Sequence, residues 1–160
     1  MPKILKILTN PDPILRNMSV DVDLKIIATQ EFKQLVEDMK KTMVEKDGVG
    51  LAAPQVGQNI RLIVVNTERG PLCLINPRLT KKSFAKEVAE EGCFSLPNLF
   101  GEVKRHKKVT CKFITENNKQ GVIEASGLIA RGLQHEIDHL DGILFIDRLE
   151  PGAKLIKEKK

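Results

Sequence analysis

The chain of 160 residues has no tryptophan and no tyrosine, and its aromatic complement is six phenylalanines. Its core must therefore be mainly aliphatic, and stacking platforms for nucleic-acid bases are scarce. Three cysteines, Cys73, Cys93 and Cys111, are odd in number and widely spaced, which argues against a disulfide framework. In a reducing compartment such thiols are either buried hydrophobes or ligands. No apolar run approaches the roughly 20 residues that a membrane helix needs. The opening MPKILKILTN is too short and too interrupted for a signal segment. These absences imply a cytoplasmic protein without membrane association. Repeats, low-complexity tracts and linkers are lacking too, so residues 1–160 read as a single domain.

Charge is present but unevenly placed. The net charge is +5, and much of the excess lies in 104–108 and 154–160. Such runs are ordinarily solvated faces. Their functional reading is weak attraction to a polyanion such as ribosomal RNA, which composition allows but does not show. No DNA-binding role is expected.

Hydrophobic spacing divides the chain into two textures. Phe32, Leu35, Val36, Met39 and Met43 recur at helical intervals, predicting an amphipathic helix over 29–45 that ends near Gly48. Stretches 60–65, 72–75, 109–115 and the residues around Val122 are β-branched and apolar, predicting strands. Cys73 and Cys111 fall inside such stretches and read as core. From about 124 to 140 the period is helical again, with Leu128, Ile129, Leu133 and Ile137 on one stripe. Gly127 and Gly132 lie inside this late helix, where glycine weakens the helix or makes room for something packed close. The fold class is α+β, with mainly antiparallel strands between an amino-terminal helix and a late helix.

The late helix carries Gln134-His135-Glu136-Ile137-Asp138-His139. Positions i and i+4 share a helical face, so His135 and His139 can grip one metal ion with Glu136 beside it as a proton carrier. A hydrolytic metal site needs about three protein ligands, which leaves a position open for water. His106 lies in KRHKK, where positive charge disfavours a cation. Cys93 lies in EGCFSLP, an irregular segment at a strand end. A third segment, Gly48-Val49-Gly50-Leu51-Ala52-Ala53-Pro54-Gln55, is rich in small residues but lacks the ending of a phosphate-binding loop. A helix cap would explain Gly48, but not Gly50, the alanines and Gln55 together.

GVGLAAPQ, EGCFS and QHEIDH, in this order and spacing, resemble the three signature motifs of the peptide deformylases, and the opening ILTNPDPILR and the ending GILFIDRL extend the resemblance over nearly the whole chain. The resemblance implies a metal-dependent hydrolase that removes the formyl group from formyl-methionine at the amino terminus of nascent polypeptides. Cys93, His135 and His139 would hold one divalent ion, usually Fe(II), with Zn(II) also accepted, and water on that ion would attack the formyl carbonyl. Glu136 would be the general acid/base, and Gln55 with the backbone N–H of Phe94 the oxyanion hole. Phe94 stands where family members commonly carry leucine, which leaves the backbone donor intact. Val49, Gly50, Leu51 and Gly92 would meet the extended substrate backbone, and Leu128 and Gly132 would line the methionine pocket. Glu91, Asp138 and Arg105 are candidates to orient the histidines or brace the Cys93 segment, although ordinary surface ion pairs explain them about as well. The competing reading is a generic HExxH zinc endopeptidase, which gives Cys93 and Gln55 no role.

Overall fold

The computed structural model describes residues 1–157. The first helix, α1, spans Gln30–Glu45. Thr29 caps it, its hydroxyl accepting from the Phe32 N–H at 3.2 Å. One face buries Phe32, Val36, Met39 and Met43, as the spacing predicts. Asp38 and Thr42 are buried beside them because the amino-terminal strap donates to both, Lys3 N–H to Asp38 at 2.9 Å and Leu5 N–H to Thr42 at 2.8 Å. The helix closes by the Gly48 N–H returning to the Met43 carbonyl at 2.9 Å. The left-handed residue of this turn is Asp47, at φ 53°, so Gly48 is not the residue that the turn requires to be glycine.

Eight strands follow among the described residues: β1 (Gly50–Ala52), β2 (Leu62–Thr67), β3 (Gly70–Lys82), β4 (Lys86–Cys93), β5 (Leu96–His106), β6 (Lys108–Ile114), β7 (Gln120–Ser126) and β8 (Ile156–Lys157). They form a five-stranded sheet in the order β1-β2-β3-β6-β7 and a three-stranded sheet in the order β4-β5-β8. Every ladder is antiparallel. The second helix, α2, spans Gly127–Leu140.

Period-2 alternation on β2 explains the layering. Leu62 and Val64 join the cluster of α1, whereas Ile63 and Val65 join Leu133, Ile137 and Leu140 of α2 on the opposite face. A strand covered on both faces reads as an unbroken apolar run. Cys73 and Cys111 are buried in these two clusters, as expected for core thiols. A third cluster, with Leu15, Leu96, Val103, Leu144 and Phe145, seats the smaller sheet.

Two expectations need correction. The late helix does not begin near 124, because residues through Ser126 pair with β6 over a continuous register; Gly127 makes the turn at φ +61°. The basic stretch 104–108 is not wholly a solvated face. It lies on and just beyond β5, where alternation leaves Lys104 exposed and turns Arg105 inward to 4% exposure. The basic tail extends through 158–160, which lie outside the described residues. Among those described, no helix is long and apolar enough to cross a membrane.

Gly142 ends α2 at φ +72°, and a Cβ built on it would lie 2.5 Å from the Arg16 carbonyl oxygen. Gly142→Ala therefore meets both a strained backbone and an immovable neighbour. A loss of at least about 2 kcal/mol in unfolding free energy is expected, read as a lower urea midpoint. An unchanged midpoint would contradict the close approach.

Candidate active site

The two sheets face each other across a cavity of about 450 Å³. The segment Gly48-Val49-Gly50 forms one wall, and Gly92, Cys93 and Phe94 at the end of β4 form the other. Leu128, Gly132, His135 and Glu136 of α2 form the floor. The expected pocket residues Val49, Gly50, Gly92, Leu128 and Gly132 all line this cavity. Leu51 does not. Alternation on β1 turns its side chain into the core of α1, where it is fully buried.

Cys93, His135 and His139 converge, their ligand atoms all within 4.8 Å of one another. Cys93 Sγ lies 3.3 Å from His139 Nε2. It reaches this position through a shift of register between Gly92 and Cys93, which ends the β4–β5 ladder and aims the thiol inward. His135 presents Nδ1 to the Glu91 carboxylate at 2.9 Å. With an ionised acceptor there, Nδ1 carries the proton and Nε2 is left to face the thiol and the second imidazole. One thiolate and two imidazoles, clustered with a carboxylate alongside, fit a divalent ion of borderline softness. His106 is elsewhere, its Nδ1 2.7 Å from the Ser83 carbonyl.

Glu91 is the most heavily engaged carboxylate here. Arg105 grips it with Nε and Nη2, both at 2.9 Å, and Arg131 Nη1 adds a third contact at 2.6 Å. Arg105 also reaches Asp138 at 2.6 Å, and Asp138 in turn receives Arg148 Nε at 2.6 Å. Burial opposes ionisation of Glu91, yet the hydrogen bonds of Arg105 and His135 hold it far below the usual carboxylate range. The candidates Glu91, Arg105 and Asp138 thus form one buried network against His135 rather than surface pairs. Arg148 escaped sequence reasoning; Arg131 stands out there only as a position beside the pocket that varies within the family, not as a partner of Glu91. The available signal was Arg131 at i−4 from His135, on the ligand face of the helix.

Burial disfavours a charge on His135, but Glu136, Cys93 and Glu91 together outweigh it and raise this imidazole well above its ordinary range. His139 moves the opposite way, through burial and then the charge of His135. Burial pushes Glu136 up to about 7, against the opposing charge of His135. Its Oε1 is buried without a hydrogen-bond partner. The side chain packs on Gly50, where an added Cβ would lie 2.6 Å from Glu136 Cγ.

Gln55 sits in the short 3₁₀ turn Ala53–Val56. Its Oε1 accepts from the Ala52 N–H at 2.9 Å, which turns Nε2 toward Ser95 Oγ at 3.1 Å and Cys93 Sγ at 3.5 Å. A donor is thereby aimed at the Cys93 thiol. Phe94 occupies the turn between β4 and β5.

A half-buried thiol and two imidazoles beside a buried carboxylate, at the floor of a cleft, are the donor set of a metal-dependent hydrolase. The family model for polypeptide deformylase matches residues 4–154, and the chain belongs to that family. It is accordingly an enzyme, a metal-binding hydrolase of N-formyl groups. A peptide deformylase of Syntrophobacter fumaroxidans is 44% identical over 162 residues, covering 98% of this chain and 93% of that relative. The crystal structure of the Thermotoga maritima peptide deformylase superposes with a TM-score of 0.87 at 40% identity, covering 92% of this chain and 99% of that one. The Met-Ala-Ser-bound class I type b peptide deformylase of Acinetobacter baumannii has a TM-score of 0.87 at 33% identity, covering 93% and 100%.

Removing the Glu91 charge tests the network. Its depressed folded pKa means that its stabilisation is complete above the ordinary value of 4.5 and fades as acid is added below it. Glu91→Gln is expected to cost about 3–5 kcal/mol at pH 7 by stranding buried arginines, and to flatten the fall of stability below about pH 4.5. Urea unfolding across that range measures both effects. Equal stability at pH 7 would mean that the network is not holding the site.

Proposed function

We propose that this chain, as one catalytic domain spanning residues 1–160, acts in the cytoplasm on nascent polypeptides that begin with formyl-methionine, releasing formate and a free amine. The observation that carries this reading is the convergence of Cys93, His135 and His139 within 4.8 Å beside a buried Glu136. Those three residues would hold one divalent ion, Fe(II) or Zn(II), since thiolate and imidazole donors suit either. When bound, such an ion supplies Lewis acidity, lowering the pKa of water and polarising the formyl oxygen.

The remaining steps belong to the chain's own residues. Val49, Gly50 and Gly92 meet the extended backbone of the peptide, and Leu128 and Gly132 receive the methionine side chain. Gln55 Nε2 and the Phe94 backbone N–H stabilise the developing oxyanion; losing one such donor costs roughly 3–4 kcal/mol of transition-state stabilisation. Glu136 takes the proton of the attacking water and passes it to the nitrogen as the C–N bond breaks. Burial, by pushing Glu136 up to about 7, suits it to both directions of transfer near neutrality.

Glu136→Gln is expected to lower formate release from a formyl-methionyl tripeptide by roughly 10²–10⁴-fold while metal content stays unchanged. Retained turnover would remove Glu136 from the mechanism. Cleavage of internal peptide bonds without formate would instead support the endopeptidase reading. Elemental analysis of anaerobically purified protein should find one iron or zinc per chain, and finding neither would contradict the ligand assignment.

A further inference from the structure

We propose that the Phe94 side chain is a strut: its ring, seated on Gly48, sets the spacing between the two cleft walls and so positions the Cys93 turn against the wall that receives the substrate. What fills the cleft rests on the deformylase reading; the strut itself rests on geometry.

Among the described residues, no strand ladder joins the five-stranded sheet to the three-stranded one. β1 pairs only with β2, and β4 only with β5. The distance between Gly48-Val49-Gly50 and the end of β4 is therefore set outside the sheets, by side chains and by the amino-terminal strap, whose Leu8 N–H donates to the Gln55 carbonyl at 2.7 Å and whose Asn10 N–H donates to the Ser95 carbonyl at 2.8 Å. Phe94 spans that distance. A Cβ built on Gly48 would lie 2.5 Å from Phe94 Cζ and 2.6 Å from Cε2, so the ring edge rests directly on the glycine. Phe94 also packs against the cluster beneath α1, which holds the ring from below.

Backbone conformation does not account for Gly48. Asp47 supplies the left-handed turn, and Gly48 itself has no positive φ, so alanine is sterically allowed by the main chain. The close ring is what the missing Cβ accommodates. Phe94 directly follows Cys93, whose Sγ stands 3.3 Å from His139 Nε2. A shift of the ring moves the thiol and the Phe94 N–H together. Phe94 is thus a positioning residue through its side chain, in addition to the donor on its backbone.

The strut predicts compensation between two substitutions. Gly48→Ala forces the ring away, Phe94→Leu withdraws it, and the pair lets the alanine methyl occupy the vacated space. With zinc-loaded enzyme and formyl-Met-Ala-Ser, Gly48→Ala should lower kcat/KM by about tenfold and Phe94→Leu by about threefold, with the double variant within about threefold of wild type. The gain in KM for the tripeptide over formyl-methionine alone should shrink in each single variant and return in the double, a pattern that simple loss of folded enzyme does not produce. In metal-free protein, the rate at which Cys93 reacts with a thiol reagent should rise in Gly48→Ala and fall back in the double variant.

Losses that multiply in the double variant, or a Gly48→Ala enzyme indistinguishable from wild type, overturn the strut. Should Gly48→Ala fail to fold, the double variant decides: the strut requires it to fold, and failure rejects the proposal. Wild-type enzyme that releases no formate would sink the deformylase reading alone, since Cys93 reactivity and zinc affinity across the same variants still judge the strut.

Discussion

Glu91 is a buried carboxylate that touches three elements at once. It lies on β4, receives two hydrogen bonds from Arg105 of β5, and receives Arg131 and His135 from α2. A charge this far from water is tolerated only with its hydrogen-bonding capacity met, and removing any partner leaves an uncompensated ion. The arrangement therefore specifies how the smaller sheet docks on the helix. It also gives His135 one tautomer. Docking and ligand geometry are thereby consequences of the same ion pairs.

The cleft arises because the two sheets stop short of each other. Their facing segments bring small residues where bulk would collide: Gly50 against Glu136, and Gly132 against Val49, whose Cγ1 would lie 2.7 Å from an added Cβ. Closeness excludes water from Glu136, and exclusion of water is what raises its pKa. The same packing that narrows the cleft thus raises the pKa of this carboxylate. Sterics and acidity share one cause.

Some of this was legible before folding. The apolar period of Phe32, Val36, Met39 and Met43 marked α1, and β2 was recognisable as an unbroken apolar run. The i, i+4 histidines put two ligands on one face, and the ordered motifs singled out Cys93 and Gln55. Apart from the strand end expected at Cys93, β4 and β5 went unseen as strands. Their inward positions include Glu91 and Arg105 rather than aliphatic residues, so hydropathy does not alternate; charge pairing buries them instead. Arg105 also shows why a basic run misleads, since its fate depends on a partner 14 positions away.

The sequence by itself determined the chemical inventory: a thiol, two imidazoles at helical spacing, a carboxylate between them and an amide on a small-residue segment. Local spacing suffices there, because one helix turn alone brings His135 and His139 to a common face. Only the tertiary structure decided that Cys93 meets them, that Leu51 turns into the core, that Glu91 orients His135 and that the Phe94 ring rests on Gly48. Each of these joins elements distant in the chain, and such contacts are set by how the two sheets pack against α2, a property that no local periodicity encodes.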